Sequence, residues 1–127
     1  MNINRTEGLF AIAEELLIAA EHEQQRAEED VVSHLICLNS RQSISNYLAG
    51  FLLQKDIPIQ HPVSIHSLHE QCNAIDPGFE SLDLGLIECR CDLQDKKYCL
   101  ELHKVNSCLI VAQHVRSIVL AELSTKC

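Results

Sequence analysis

The placement of its prolines most constrains what this chain can fold into. The three prolines, Pro58, Pro62 and Pro77, all lie in the middle of the sequence, and long stretches on either side lack helix-breaking signals. Proline removes a backbone donor and clashes with the preceding helical turn, so it interrupts helices. The pattern therefore predicts long helices on both sides of a short central turn region.

Apolar periodicity supports this prediction. Residues three and four apart share one face of a helix, and apolar residues keep this spacing from Leu9 to Ala20, within about 30–54, over 65–72 and from Leu102 to Leu123. Residues 79–97 fit either a broken helix or a loop, and strand-like alternation is weak and confined to 84–91. We predict one all-α domain over 1–127, an antiparallel bundle of four to five helices.

Capping residues and small residues add detail to the predicted helices. Thr6 and Ser64 are expected N-caps of the first and third helices, because their hydroxyls can accept from free backbone N–H groups. The second predicted helix carries Ser40, Ser43 and Gly50 among its apolar residues. Gly costs about 1 kcal/mol relative to Ala in a helix, so we expect a neighbouring helix to approach closely and compensate for Gly50.

Charge and composition limit the possible partners. The net charge is -8 and aromatic residues make up 4% of the chain, with no Trp. Gripping a nucleic-acid backbone needs clustered Lys and Arg, so we expect no extended nucleic-acid surface, although a local nucleotide pocket remains possible. No apolar run is long enough to span a bilayer, and Glu7, Glu14 and Glu15 interrupt any leader-like pattern. We therefore predict a cytoplasmic protein without membrane contact.

Seven cysteines and seven histidines raise the question of a metal. His66, His69 and Cys72 stand three residues apart and could share one side of a helix, but a tetrahedral zinc site needs three or four convergent ligands. The spacing matches no finger or ribbon motif. We predict reduced thiols that serve mainly as small core side chains, with no metal and no cofactor, and keep those three residues as fallback ligands.

Polar residues within the second predicted helix are the best candidates for binding. Arg41, Gln42, Ser45 and Asn46 interrupt an otherwise apolar segment. They fit an ordinary solvated face, since charged and amide side chains are usually exposed. They also fit a ligand-binding face, and the sequence leaves both readings open.

Several segments together resemble the HEPN family, small all-helical bundles found in prokaryotes. "IAEELLIAAE" (12–21) is similar to the first helix of that family, "SRQSISNYLAGFLLQKDIPI" (40–59) to its second, and "IHSLHEQC" (65–72) to a His-Asp-Leu helix start. "DPGFESL" and a last helix over 98–123 complete the order. The resemblance implies a bundle like the substrate-binding subunit of a nucleotidyltransferase. It also implies a possible nucleotide ligand, a possible nucleotidyltransferase partner, a link to toxin–antitoxin pairs, and His66 as a further binding candidate.

The departures from the family pattern bear on activity. Ribonuclease members carry an Arg followed by His after four to six residues, and no Arg of this chain has such a His. Ser45 and Asn46 also replace a usual Glu-Lys pair. Because cleavage needs a base and a cationic group held together, we predict a non-catalytic binding or regulatory module. The alternatives are a diverged ribonuclease or toxin-type enzyme, which leaves enzymatic activity an open question, and a Cys/His metal-binding module.

The last predicted helix suggests self-association. Ile110, Val111, Ile118 and Leu120 widen its apolar surface beyond the stripe that faces the core. Soluble monomers seldom expose large apolar patches, and a two-fold dimer covers them most simply. We predict a homodimer through this helix, unless residues 79–97 fold over the surface instead.

Overall fold

A computed structural model describes residues 2–26, 33–61, 63–84 and 102–124 of the chain. It contains the α-helices α1 (Asn2–Gln24), α2 (Ser33–Gln54), α3 (Ile65–Ile75) and α4 (Leu102–Ser124), with a 3₁₀ turn at Pro77–Ser81. Within those four ranges no residue belongs to a strand. The prediction of an all-α helical bundle is confirmed.

Helix α2 lies at the centre of the bundle and packs against α1, α3 and α4. Its inner side chains have almost no exposed surface, and this accounts for the apolar period of the segment. Burying one such side chain contributes about 1.5–3 kcal/mol. The α2 residues in the core are Ile36, Cys37, Ile44, Tyr47, Leu48, Phe51 and Leu52.

Helices α1 and α2 approach closely where their facing residues are small. The hydroxyl of Ser43 donates a 2.7 Å hydrogen bond to the Ala13 carbonyl across this contact, and Phe10 packs over the backbone at Gly50. The expected compensation for Gly50 is therefore confirmed: a ring from the neighbouring helix occupies the space that a side chain would need.

Polar contacts align α1 antiparallel to α4. Arg116 pairs with Glu14 at 3.3 Å near one end of the contact, and Gln24 donates to Asn106 at 3.0 Å near the other. Glu14 also accepts a 2.5 Å hydrogen bond from the hydroxyl of Tyr47. Burial, followed by this hydrogen bond, raises the pKa of Tyr47, so the phenol stays protonated and joins α2 to α1 as a donor.

The chain reverses direction directly after α2. Asp56 adopts a positive φ of 58°, and the Ile57 N–H donates to the Leu52 carbonyl while the Asp56 N–H donates to Leu53. These bonds form a Schellman motif, which caps the last carbonyl groups of a helix. Pro58 follows at once, which agrees with the predicted helix stop.

Two local predictions about helix ends and burial were wrong. Thr6 is not an N-cap, because α1 begins four residues earlier, and Thr6 is a buried residue inside that helix. Val111 and Ile118 do not widen an exposed surface, since both are buried in the core of the chain.

The segment after α3 contributes to that core. The 3₁₀ turn contacts both α3 and α4, and Phe79 and Leu82 are buried. The Phe79 ring packs edge-on against Phe51, with ring centroids 4.8 Å apart. The start of the 79–97 region therefore covers part of the bundle, while residues 85–97 lie outside the described residues.

The prediction of reduced thiols holds for two of the described cysteines and fails for a third. Cys72 and Cys108 are buried and form no disulfide, as expected for core side chains. Cys37, however, is disulfide-bonded.

Candidate functional site

A cleft of about 420 Å³ opens between the first half of α2 and the start of α3. We call it the α2–α3 cleft. Its volume lies in the range of about 300–1,000 Å³ that is typical of small-molecule sites. Its walls are formed by Leu38, Arg41, Gln42, Ser45 and Asn46 from α2, and by Val63, Ser64 and Ile65 from the α3 side.

The α2 wall follows from helical geometry. Counted from Leu38, the other four residues of this wall are three, four, seven and eight positions further along, so all five share one face. This face points away from the core residues of α2, and its side chains are half-buried or exposed. The polar residues that interrupt the apolar pattern of α2 therefore lie together on one continuous surface.

The opposite wall is held in place by a capping box. The Ser64 hydroxyl accepts from the Ser67 N–H at 3.0 Å, and the Ser67 hydroxyl accepts from the Ser64 N–H at 2.9 Å. Such reciprocal bonds satisfy free donors at a helix N-terminus. They confirm the predicted Ser64 cap and fix the backbone beside Val63 and Ile65.

Gln71 anchors the connection between α2 and α3. Its Nε2 donates to the Pro58 carbonyl at 2.8 Å, and its Oε1 accepts from the Gln60 N–H at 3.1 Å. The Gln71 side chain therefore binds both a backbone carbonyl and a backbone N–H of the connecting segment. The position of the Val63 wall relative to α2 is set by this anchor and by the cap.

Asn46 has a defined orientation in the cleft. Its Nδ2 donates a 2.9 Å hydrogen bond to the carbonyl of Gln42, one turn earlier in α2. An amide that binds a carbonyl must direct its NH₂ group there. The Oδ1 atom is then the acceptor at the free end of the amide.

The lining of the α2–α3 cleft combines a charged side chain with large apolar ones. Among the described residues that form it, Arg41 is the only charged one, in a chain with a net charge of -8. Leu38 and Val63 are large apolar side chains that are 38% and 50% exposed, and Ile65 adds to this apolar wall. The cleft can accept a molecule with an anionic group and an apolar body.

Four of the five predicted binding residues come together here. Arg41, Gln42, Ser45 and Asn46 all line the cleft, whereas His66 is exposed at the next position after the lining and does not form part of it. Sequence reasoning missed Leu38, Val63, Ser64 and Ile65. The period of α2 could have revealed Leu38, but the three others depend on how α3 packs.

The fallback metal ligands have separate environments. The Nε2 atom of His69 lies 2.8 Å from the Phe79 carbonyl oxygen, and Cys72 is directed at the Leu48 carbonyl, with its Sγ atom 3.6 Å from that oxygen. Burial raises the pKa of the Cys72 thiol to about 12, whereas a metal ligand must be a thiolate. No group of three His, Cys, Asp or Glu residues suited to a metal occurs among the described residues.

Comparisons with protein-family models, with curated proteins and with solved structures give no match for this chain. In the described part of the chain, no helix is both long and apolar enough to cross a membrane.

Proposed function

We propose that this chain is a non-catalytic, HEPN-like binding module that holds a nucleotide in the α2–α3 cleft. The observation that carries the proposal is the convergence of Arg41, Ser45 and Asn46 with an apolar wall in a cleft of about 420 Å³. The polar residues come from one helix face and the wall from another segment, which is a common design of small-molecule sites.

Each part of a nucleotide has a counterpart in the cleft. An Arg guanidinium matches the geometry of a phosphate and binds it through charge-assisted hydrogen bonds. The aliphatic wall of Leu38, Val63 and Ile65 can cover a base or sugar face. No aromatic side chain occurs among the described lining residues, so the base would be held by apolar contact and hydrogen bonds rather than by ring stacking.

The proposal includes protein partners. The HEPN resemblance implies a nucleotidyltransferase partner and a place in a toxin–antitoxin type of pair, in which this chain would be the binding subunit. A bound nucleotide would give such a subunit a ligand in common with its partner. The absence of an Arg followed by His at the family's spacing supports a binding role over cleavage.

The proposal also includes a homodimer. On the outer faces of α1 and α4, which lie side by side, Ile12, Ile18, Ile110 and Leu120 are 38–57% exposed. A two-fold contact between copies of the chain would cover these side chains. The apolar surface is smaller than the sequence predicts, because Val111 and Ile118 are already buried.

Calorimetric titration with ATP tests the nucleotide proposal. We expect saturable binding by the wild type and about 10- to 100-fold weaker binding by Arg41→Ala, since a charged hydrogen bond contributes about 1.5–3 kcal/mol. Arg26→Ala is the matched control: it removes a cation paired with Glu23, away from the cleft. Equal losses in both variants, or no binding by the wild type, would overturn the proposal.

A further inference from the structure

The fixed orientation of Asn46 restricts what can bind in the α2–α3 cleft. One N–H of its Nδ2 donates to the carbonyl of Gln42 at 2.9 Å, so the Oδ1 at the other end of the amide is the acceptor that it offers. A ligand group facing that atom must therefore be a hydrogen-bond donor. Rotating the amide to offer its opposite edge would break this hydrogen bond and turn Oδ1 towards the carbonyl oxygen of Gln42.

Arg41 lies five residues before Asn46 on the same helix. At 1.5 Å of rise per residue, the two positions are separated by about 7.5 Å along the helix axis. Arg41 supplies only donors and Asn46 offers an acceptor, while Leu38 lies on the same face. The α2 wall thus has hydrogen-bond donors at Arg41 and an acceptor at Asn46, and Leu38 adds an apolar side chain to the same face.

We infer that Asn46 makes the cleft selective for nucleotides that carry a hydrogen-bond donor on the side away from the phosphate. The inference rests on the proposed nucleotide binding and adds a selectivity-determining residue to it. Two groups of an adenine nucleotide provide such a donor: the exocyclic amino group of the base and the ribose hydroxyls. Either the amino N–H or a ribose O–H can donate to the Oδ1 atom of Asn46.

Three nucleotides separate these sources: AMP, purine riboside 5′-monophosphate, which lacks the amino group, and 2′,3′-dideoxyadenosine 5′-monophosphate, which lacks both hydroxyls. A neutral hydrogen bond contributes about 0.5–1.5 kcal/mol. We therefore expect AMP to bind the wild type about 2- to 12-fold more tightly than one of the two analogues. The weaker analogue identifies the group that contacts Asn46.

Two variants assign the preference to Asn46. Asn46→Leu, close in size but without an acceptor, should bind AMP and the weaker analogue equally well. Asn46→Asp keeps an acceptor oxygen at this position and should keep the preference, although its charge weakens the binding of all three phosphates. Thermal melting of each variant establishes that the fold is retained.

Calorimetric titration of the three proteins with the three nucleotides is the experiment. If the wild type binds AMP but does not distinguish it from either analogue, or if Asn46→Leu keeps the wild-type preference, the inference is wrong while nucleotide binding stands. If the wild type binds none of the nucleotides, the proposed function fails as well.

Discussion

The Cβ atom that Gly50 lacks would lie 2.6 Å from Cε1 of Phe10. That separation is too short for a carbon–carbon contact, so the ring of α1 rests directly on the backbone of α2. The contact lies on the α1 side of α2, and a helix that approaches this closely permits a dense interface. The position of α1 therefore depends on the absence of one side chain.

Gly50→Ala should destabilise the protein, although Ala favours helices. Overpacking a tight contact costs about 1–3 kcal/mol, which exceeds the gain of about 1 kcal/mol in helix propensity. Gly8→Ala is the matched control, since nothing lies within 4 Å of its added Cβ, and it should stabilise by up to about 1 kcal/mol. Chemical denaturation measures both, and a stability gain in Gly50→Ala would contradict the packing described here.

Asp56→Gly should stabilise the protein by about 0.5–1 kcal/mol. Asp56 has a φ of 58°, a region that costs energy for residues with a Cβ, and its negative charge follows the C-terminus of a helix, where the dipole disfavours anions. Asp56→Asn separates the two causes, because it removes the charge and keeps the Cβ. A lower denaturation midpoint for Asp56→Gly than for the wild type would argue against this account of the turn.

Ile118→Asp should destabilise the chain by about 3–5 kcal/mol, since it places an unpaired charge in the core. Ile118 is 9% exposed, whereas Ile110 in the same helix is 57% exposed. Ile110→Asp should leave the stability of the monomer within about 0.5 kcal/mol of the wild type and weaken the proposed homodimer. Denaturation and sedimentation report these two effects, and a wild type that is monomeric at micromolar concentration would rule out the dimer.

The Cys72 thiol should react slowly in the folded protein. Burial, with a smaller contribution from the charge of Asp76, raises its pKa from 9.0 to about 12. Because the folded pKa is the higher one, this contribution to stability is complete below pH 9 and declines as the pH rises towards 12. Alkylation at pH 8.5, followed by peptide mass analysis, should label Cys72 far faster in urea than in buffer.

The pH dependence of the protein's stability also reports the raised pKa of the Cys72 thiol. The denaturation midpoint of the wild type should fall more steeply between pH 9 and 12 than that of Cys72→Ala, which lacks the titrating group. Equal slopes in the two proteins would show that the thiol has an ordinary pKa in the folded state.

The helices could be predicted from the sequence because their apolar period reflects one-sided burial against the bundle. Ser64 could also be recognised, since its cap is formed by residues close in sequence. The start of α1 was missed: Thr6 has the side chain of a cap, but the helix continues beyond it to Asn2. Thr6 is buried inside α1, and its capping propensity does not show that the helix continues past it.

The sequence predicts only the α2 side of the candidate site, because the other side depends on tertiary structure. Arg41, Gln42, Ser45 and Asn46 lie on one helix, so their shared face follows from spacing alone. Val63 and Ile65 come near them only because the chain turns at Asp56 and is anchored by Gln71. The burial of Ile118 likewise belongs to tertiary packing, which the period of α4 could not show.

A titration of ¹⁵N-labelled protein with AMP, followed by backbone amide shifts, tests the central claim most directly. The account predicts saturable shift changes concentrated at 38–46 and 63–65, with residues on the outer face of α1 nearly unchanged. Arg41→Ala should reduce these changes at the same nucleotide concentration. Shifts that centre on α1 and α4, or no shifts at millimolar AMP, would contradict a nucleotide site in the α2–α3 cleft.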